Sequence, residues 1–127
     1  MKQEKDAASP EHRLAKDILS RMIEDELGWT AEQEVEAPYD AGRRRLRLDV
    51  VAIPPRRAKP WPKFAFEIQS ANLEGKRAEI RDALENGLRG YADIILIPIG
   101  GLTEDLPVAK WRRYLRSYMQ LMERVPK

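Results

Sequence analysis

Residues 93–99, Asp-Ile-Ile-Leu-Ile-Pro-Ile, form a continuous apolar run of strand length and β-branched character. Such a run reads as a strand buried on both faces. Three more strand signals precede it. Residues 31–37 alternate loosely and stop at Pro38. Residues 44–53 place Leu46, Leu48 and Val50 on one expected face and Arg45, Arg47, Asp49 and Val51 on the other. In residues 64–69, Phe64, Phe66 and Ile68 share one face, and Ala65, Glu67 and Gln69 the opposite face. A strand of the 93–99 type, reached from these only through a helical segment, implies a mixed sheet flanked by helices.

The helices carry their own signals. Ser9 can cap, Pro10 suits a first turn, and Glu11 complements the dipole. Leu14, Ile18, Leu19, Met22 and Ile23 follow at helical spacing, so a helix is expected over about 10–27, ended by Gly28. A second helix is expected over 73–91, with Leu73, Ile80, Leu84, Leu88 and Tyr91 as its stripe. A last helix is expected over 105–124, with Trp111, Leu115, Tyr118 and Met122 inward and Arg112, Arg113, Arg116 and Arg124 largely outward. The order is αβββαβα. The 127 residues suit one α/β domain over 9–127, after a charged, frayed segment 1–8.

Cysteine is absent, which excludes disulfides and Cys-based zinc sites and fits a reducing cytoplasm. No secretory signal or membrane-length apolar run is present, so no membrane partner is expected. The net charge of +2 hides an uneven distribution: residues 41–63 hold eight basic side chains and one acidic. That stretch contains Arg45, Arg47, Arg56 and Arg57, which can attract phosphates. It can equally be a charged strand edge that prevents aggregation. Trp61, between prolines in the same stretch, can stack on a base or staple the loop. The aromatic stripe of 105–124 suits a core, and a homodimer face as a second use.

Asp49 and Glu67 each occupy an apolar strand where a carboxylate is out of character. If those strands are neighbours, the two acids lie close together and repel unless a cation sits between them. Oxygen ligands suit Mg²⁺ or Mn²⁺, and such a site can activate water against a phosphodiester. The simpler alternative pairs both acids with Arg45 or Arg47 across an ordinary sheet. His12 and Lys16 share one helical face, and Glu26 falls in the apolar stripe of the same helix. Glu26 can support the metal site from behind or mark a solvated helix end. Lys76, Arg77 and Arg81 open the second helix as a nucleic-acid face or a solvated, ion-paired one.

The element order, the Asp in the second strand and Glu67-Ile68-Gln69 in the third resemble the PD-(D/E)xK phosphodiesterase superfamily. Within it, the chain is most similar to competence CoiA-like nuclease domains. Glu11, His12 and Lys16 resemble that family's first helix, Arg47-Leu48-Asp49-Val50 its second strand, and Glu67-Ile68-Gln69-Ser70 its third. The likeness covers about residues 9–97. It implies a restriction-endonuclease-like core and a deoxyribonuclease of repair, recombination or defence. It also implies Mg²⁺ or Mn²⁺ on Asp49, Glu67 and the Ile68 carbonyl.

Gln69 stands where the superfamily usually has Lys; it is expected to orient the water or the metal's hydration shell, and Lys16 or His12 to supply the missing positive charge. Arg45, Arg47, Arg56, Arg57 and Lys76 are expected to hold the DNA backbone. The alternative is a nuclease fold that has lost its chemistry and binds nucleic acid or a protein partner.

Overall fold

The structure is a computed structural model that describes residues 9–56 and 62–124. The expectations for segment 1–8, Arg57 and Trp61 lie outside the described residues.

Helix α1 spans Pro10–Met22 and opens as its sequence dictates. The Ser9 hydroxyl accepts the His12 amide at 3.1 Å, and Pro10 occupies the first turn. Such a cap contributes about 1 kcal/mol. The helix widens into a π-type turn over Ile23–Leu27 and ends at Gly28, whose φ of 72° suits a residue without Cβ.

Strands β1 (Thr30–Tyr39), β2 (Arg44–Ile53), β3 (Phe64–Gln69) and β4 (Asp93–Pro98) form one sheet in the order β1-β2-β3-β4. The first two pairings are antiparallel, and β3 pairs with β4 in parallel. Helix α2 (Leu73–Glu85) makes the parallel crossover, and α3 (Val108–Met119) follows β4. The sheet is thus mixed and lies between α1 with α3 on one face and α2 on the other. On the first face, Leu19, Met22, Trp111 and Leu115 pack against Phe64, Phe66 and Ile68. On the second, Ala83 and Leu88 meet Leu46, Leu48, Val51 and Ala65.

Four local expectations need correction. β1 does not stop at Pro38; it runs to Tyr39, with Pro38 opposite Arg45. β1 is an edge strand, where a missing amide is tolerated. β4 is not buried on both faces: in Asp93–Pro98 only Ile97 is fully buried, because β4 forms the other edge. Helix α2 ends at Glu85 rather than near residue 91, since Gly87 turns at a φ of 110° before a short 3₁₀ segment, Leu88–Gly90. Helix α3 begins only at Val108, after Pro107, and passes into a 3₁₀ segment, Gln120–Arg124. Trp111, Leu115 and Met122 of its apolar stripe are buried in the chain's own core.

The expected alternation along β2 also breaks. Leu46, Leu48 and Val51 enter the core on the α2 side, whereas Val50 and Ala52 enter the α1–α3 side. β1 switches with it: Val35, Ala37 and Tyr39 face α2, and Ala31 faces α1 and α3. The switch falls at Glu34 and Asp49, which face each other in register but are left out of the ladder. Glu34 has a φ of 57°, and a left-handed residue turns the strand so that inward and outward positions exchange.

Candidate active site

β2 and β3 form a fork. They pair at Val50–Phe66, Val51–Ala65 and Ala52–Phe64, and there the ladder stops. The next position in register sets Asp49 opposite Glu67. The two carboxylates take over the missing main-chain bonds. The Ile68 amide donates to Asp49 Oδ2 at 2.7 Å, and the Asp49 amide donates to Glu67 Oε2 at 3.1 Å. Asp49 is 7% exposed and Glu67 1%. Two buried acids in apolar strands are therefore held together without a direct Arg45 or Arg47 partner.

The fork is reached from both layers of helices. His12, on α1, places Nε2 3.3 Å from Asp49 Oδ2. Its Nδ1 is buried and has no hydrogen-bond partner among the described residues. Lys76, in the first turn of α2, places Nζ 3.4 Å from Glu67 Oε1 and 3.2 Å from Glu79 Oε1. A cleft of about 460 Å³ opens on the fork, lined by His12, Arg45, Arg47, Gln69 and Lys76 beside the two acids.

Burial is the largest influence on Glu67, and the Asp49 charge adds to it. Together they push its carboxyl up to about 8, against the opposing pull of Lys76 and the Asp49 amide. Burial draws the Lys76 ammonium down, but the Glu67 and Glu79 carboxylates outweigh it and hold Lys76 above its ordinary value. Burial and the Asp49 charge thus disfavour a second negative charge at the fork, and a cation bound there would favour the ionised form of Glu67.

The donors fit a hard divalent ion. Asp49 Oδ1 accepts no hydrogen bond from the described residues, and Glu67 Oε1 is engaged only by Lys76. The Ile68 amide points to β2, and the Gln69 carbonyl accepts from the Ile99 amide on the opposite edge. Successive peptide groups in a strand alternate edges, so the Ile68 carbonyl faces the fork. Among the described residues no group of three or more His, Asp or Glu side chains could hold a metal. Two carboxylates, one carbonyl and water suit Mg²⁺, which keeps several waters.

The remaining sequence candidates divide. Gln69 lines the cleft, and its Nε2 donates to the Ala71 carbonyl at 2.7 Å. Arg45 and Arg47 form one wall, and Arg47 Nε also lies 3.1 Å from Glu34 Oε1. Lys16 is not among the cleft's lining residues; it is ion-paired with Glu34 and sits beside the fork. Arg56 is exposed and also does not line the cleft. Glu26 does not support the fork: it is exposed at the end of the π-type turn, where it is ion-paired with Arg116 at 2.6 Å and Arg112 at 3.3 Å on α3.

Sequence reasoning missed two things here. Glu34 was not singled out, because only the register places it opposite Asp49. Lys76 reads from the sequence as part of a nucleic-acid face or a solvated, ion-paired one, and its spacing along α2 gives no sign of its contact with Glu67.

No family model matches this chain, and no curated protein or solved structure gives a match. No helix among the described residues is long and apolar enough to cross a membrane.

Proposed function

We propose that this chain is a metal-dependent phosphodiesterase acting on DNA, on a restriction-endonuclease-like core. The observation that carries this reading is the convergence of Asp49 and Glu67 at the β2–β3 fork, buried and open to one cleft. Asp49, Glu67 and the Ile68 carbonyl would hold Mg²⁺ or Mn²⁺. When bound, the ion lowers the pKa of water and neutralises charge on the phosphodiester. His12, on the cleft wall with Nε2 3.3 Å from Asp49 Oδ2, would orient the Asp49 carboxylate. Arg45 and Arg47 border the cleft and hold the sugar–phosphate backbone without reading sequence.

The test is Mn²⁺ titration of the wild type and Asp49→Ala, followed by incubation with plasmid, branched and single-stranded DNA. Metal binding and cleavage by the wild type alone support the reading. Failure of the wild type to bind Mn²⁺ or cut any of the three substrates sinks it.

A second reading has a specific observation behind it. One oxygen of each acid is already used by a main-chain amide, and Gln69 spends its amide on Ala71. On that reading the fork is a structural device in a nucleic-acid-binding module. Salt-dependent DNA binding without cleavage, unchanged in Asp49→Asn, is its expected signature.

A further inference from the structure

We propose that Lys76 is the catalytic lysine of this site, brought to it by the first turn of α2 instead of by β3. This rests on the phosphodiesterase reading and adds a role that the sequence assigned to Lys16 or His12. Lys76 is the one lysine among the described residues that lines the cleft. Its side chain is 18% exposed, unlike an ordinary lysine on a helix surface.

The alternatives are engaged with other groups, and His12 stands against Asp49 Oδ2 at 3.3 Å. Lys16 is tied to Glu34 outside the cleft. Arg47 shares that same Glu34. Gln69 carries no charge and bonds to its own loop.

The ammonium of Lys76 has three donors. Glu67 and Glu79 lie within reach of two, at 3.4 and 3.2 Å, so a third remains for an oxygen in the cleft. Glu67 fixes where the charge stands relative to the metal-binding carboxylates. In hydrolysis, water adds to phosphorus and the P–O bond to the leaving sugar oxygen breaks. The attacking water loses a proton to solvent, and the leaving oxygen takes one from solvent. Lys76 stays protonated throughout, and its charge offsets the negative charge that builds on the phosphoryl oxygens.

A phosphate contact and a catalytic cation differ in what they change. The first acts on DNA affinity and its salt slope; the second acts on turnover. Steady-state cleavage with Mn²⁺ is therefore measured for the wild type, Lys76→Met, Lys76→Arg and Arg77→Met. Arg77 is the neighbouring, exposed residue and pairs only loosely with Glu74, at 3.9 Å. Its variant removes the same charge from the same turn.

Lys76→Met is expected to lower kcat about 100-fold or more, with KM for DNA within about threefold and Mn²⁺ still bound. Lys76→Arg is expected to recover about tenfold of that loss, because it keeps the charge but not the compact ammonium. Arg77→Met is expected to cut like the wild type. If Lys76→Met does not fold, Lys76→Gln is read in its place.

Unchanged kcat with raised KM and a shallower salt slope makes Lys76 a phosphate contact and overturns the proposal. Equal loss in Lys76→Met and Arg77→Met overturns it as well. An active wild type with an active Lys76→Met defeats the lysine role alone. A wild type that neither binds Mn²⁺ nor cuts DNA defeats the phosphodiesterase reading, and this role with it.

Discussion

Asp49 and Glu67 are joined through the main chain: the Asp49 amide donates to Glu67 Oε2 at 3.1 Å, and the amide after Glu67 donates back to Asp49 Oδ2 at 2.7 Å. Each carboxylate stands where a ladder bond would otherwise be. A substitution at either position therefore has two separable effects. Asp49→Asn keeps an acceptor for the Ile68 amide, so its stability is expected within about 1 kcal/mol of wild type. Asp49→Ala strands that buried amide and is expected to cost about 1–3 kcal/mol. Both should lose Mn²⁺ binding. Urea unfolding and Mn²⁺ titration of the two variants check the split.

Glu67 makes stability depend on pH. Its carboxyl is raised from 4.5 to about 8 in the folded chain, chiefly by burial. A group raised on folding stabilises fully below its unfolded pKa, and that stability is lost as pH rises through the folded value. Between pH 4.5 and about 8, stability should fall by at most about 1.4 kcal/mol per pH unit from this group. Glu67→Gln should flatten that slope, and so should saturating Mn²⁺ in the wild type. Denaturant unfolding at several pH values reads both. A slope unchanged in Glu67→Gln would remove the burial argument.

Glu34 couples a strained backbone to two cations. It holds a φ of 57°, and its carboxylate meets both Lys16 and Arg47. Lys16 is only 8% exposed, so removing its partner leaves a poorly solvated charge. Glu34→Ala should cost about 2 kcal/mol or more, by analogy with broken buried pairs. Glu34→Gly loses the same ion pairs but tolerates the left-handed backbone, so it should be more stable than Glu34→Ala by about 1 kcal/mol. Thermal unfolding of the pair isolates the backbone contribution.

Gly100 sits where the chain after β4 passes the end of β3. A Cβ there would lie 2.7 Å from the Ser70 carbonyl oxygen, which is main chain and cannot swing aside. Gly100→Ala should destabilise by about 1–3 kcal/mol, as overpacking does. Because Ser70 follows Gln69 and lines the cleft, cleavage should fall as well. Unfolding and activity of the one variant test this.

Arg45 is exposed on the cleft wall and makes no ion pair among those seen at the fork. If it holds a DNA phosphate, Arg45→Ala should weaken binding evenly across sequences. It should also reduce the slope of log K against log salt by about 1. Binding titrations at several salt concentrations provide the measurement.

Much of the architecture was legible because its causes are local. Ser9, Pro10 and Gly28 mark the ends of α1 and its π-type extension through their own side chains and dihedrals. The alternation of Phe64, Phe66 and Ile68 against Ala65, Glu67 and Gln69 survives in the structure, because β3 is an interior strand with a core on each face. The element order also stands, with a mixed sheet between helices. β4 misled because an apolar run records burial propensity, not its place in the sheet. Its place at the edge depends on which strands lie beside it.

The sequence alone determined the order of helices and strands, and that two carboxylates stand out of character in apolar strands. Capping, turn formation and periodicity act within a few residues, so neighbouring letters suffice. Tertiary structure decided what those carboxylates meet. The stagger between β1 and β2 set Glu34 against Asp49 and exchanged the two faces of the sheet. The opening of β2 from β3 turned both acids into partners of main-chain amides. The crossover after β3 brought Lys76, rather than Lys16, to Glu67. Each of these depends on the relative placement of segments distant in sequence, which no local pattern of residues encodes.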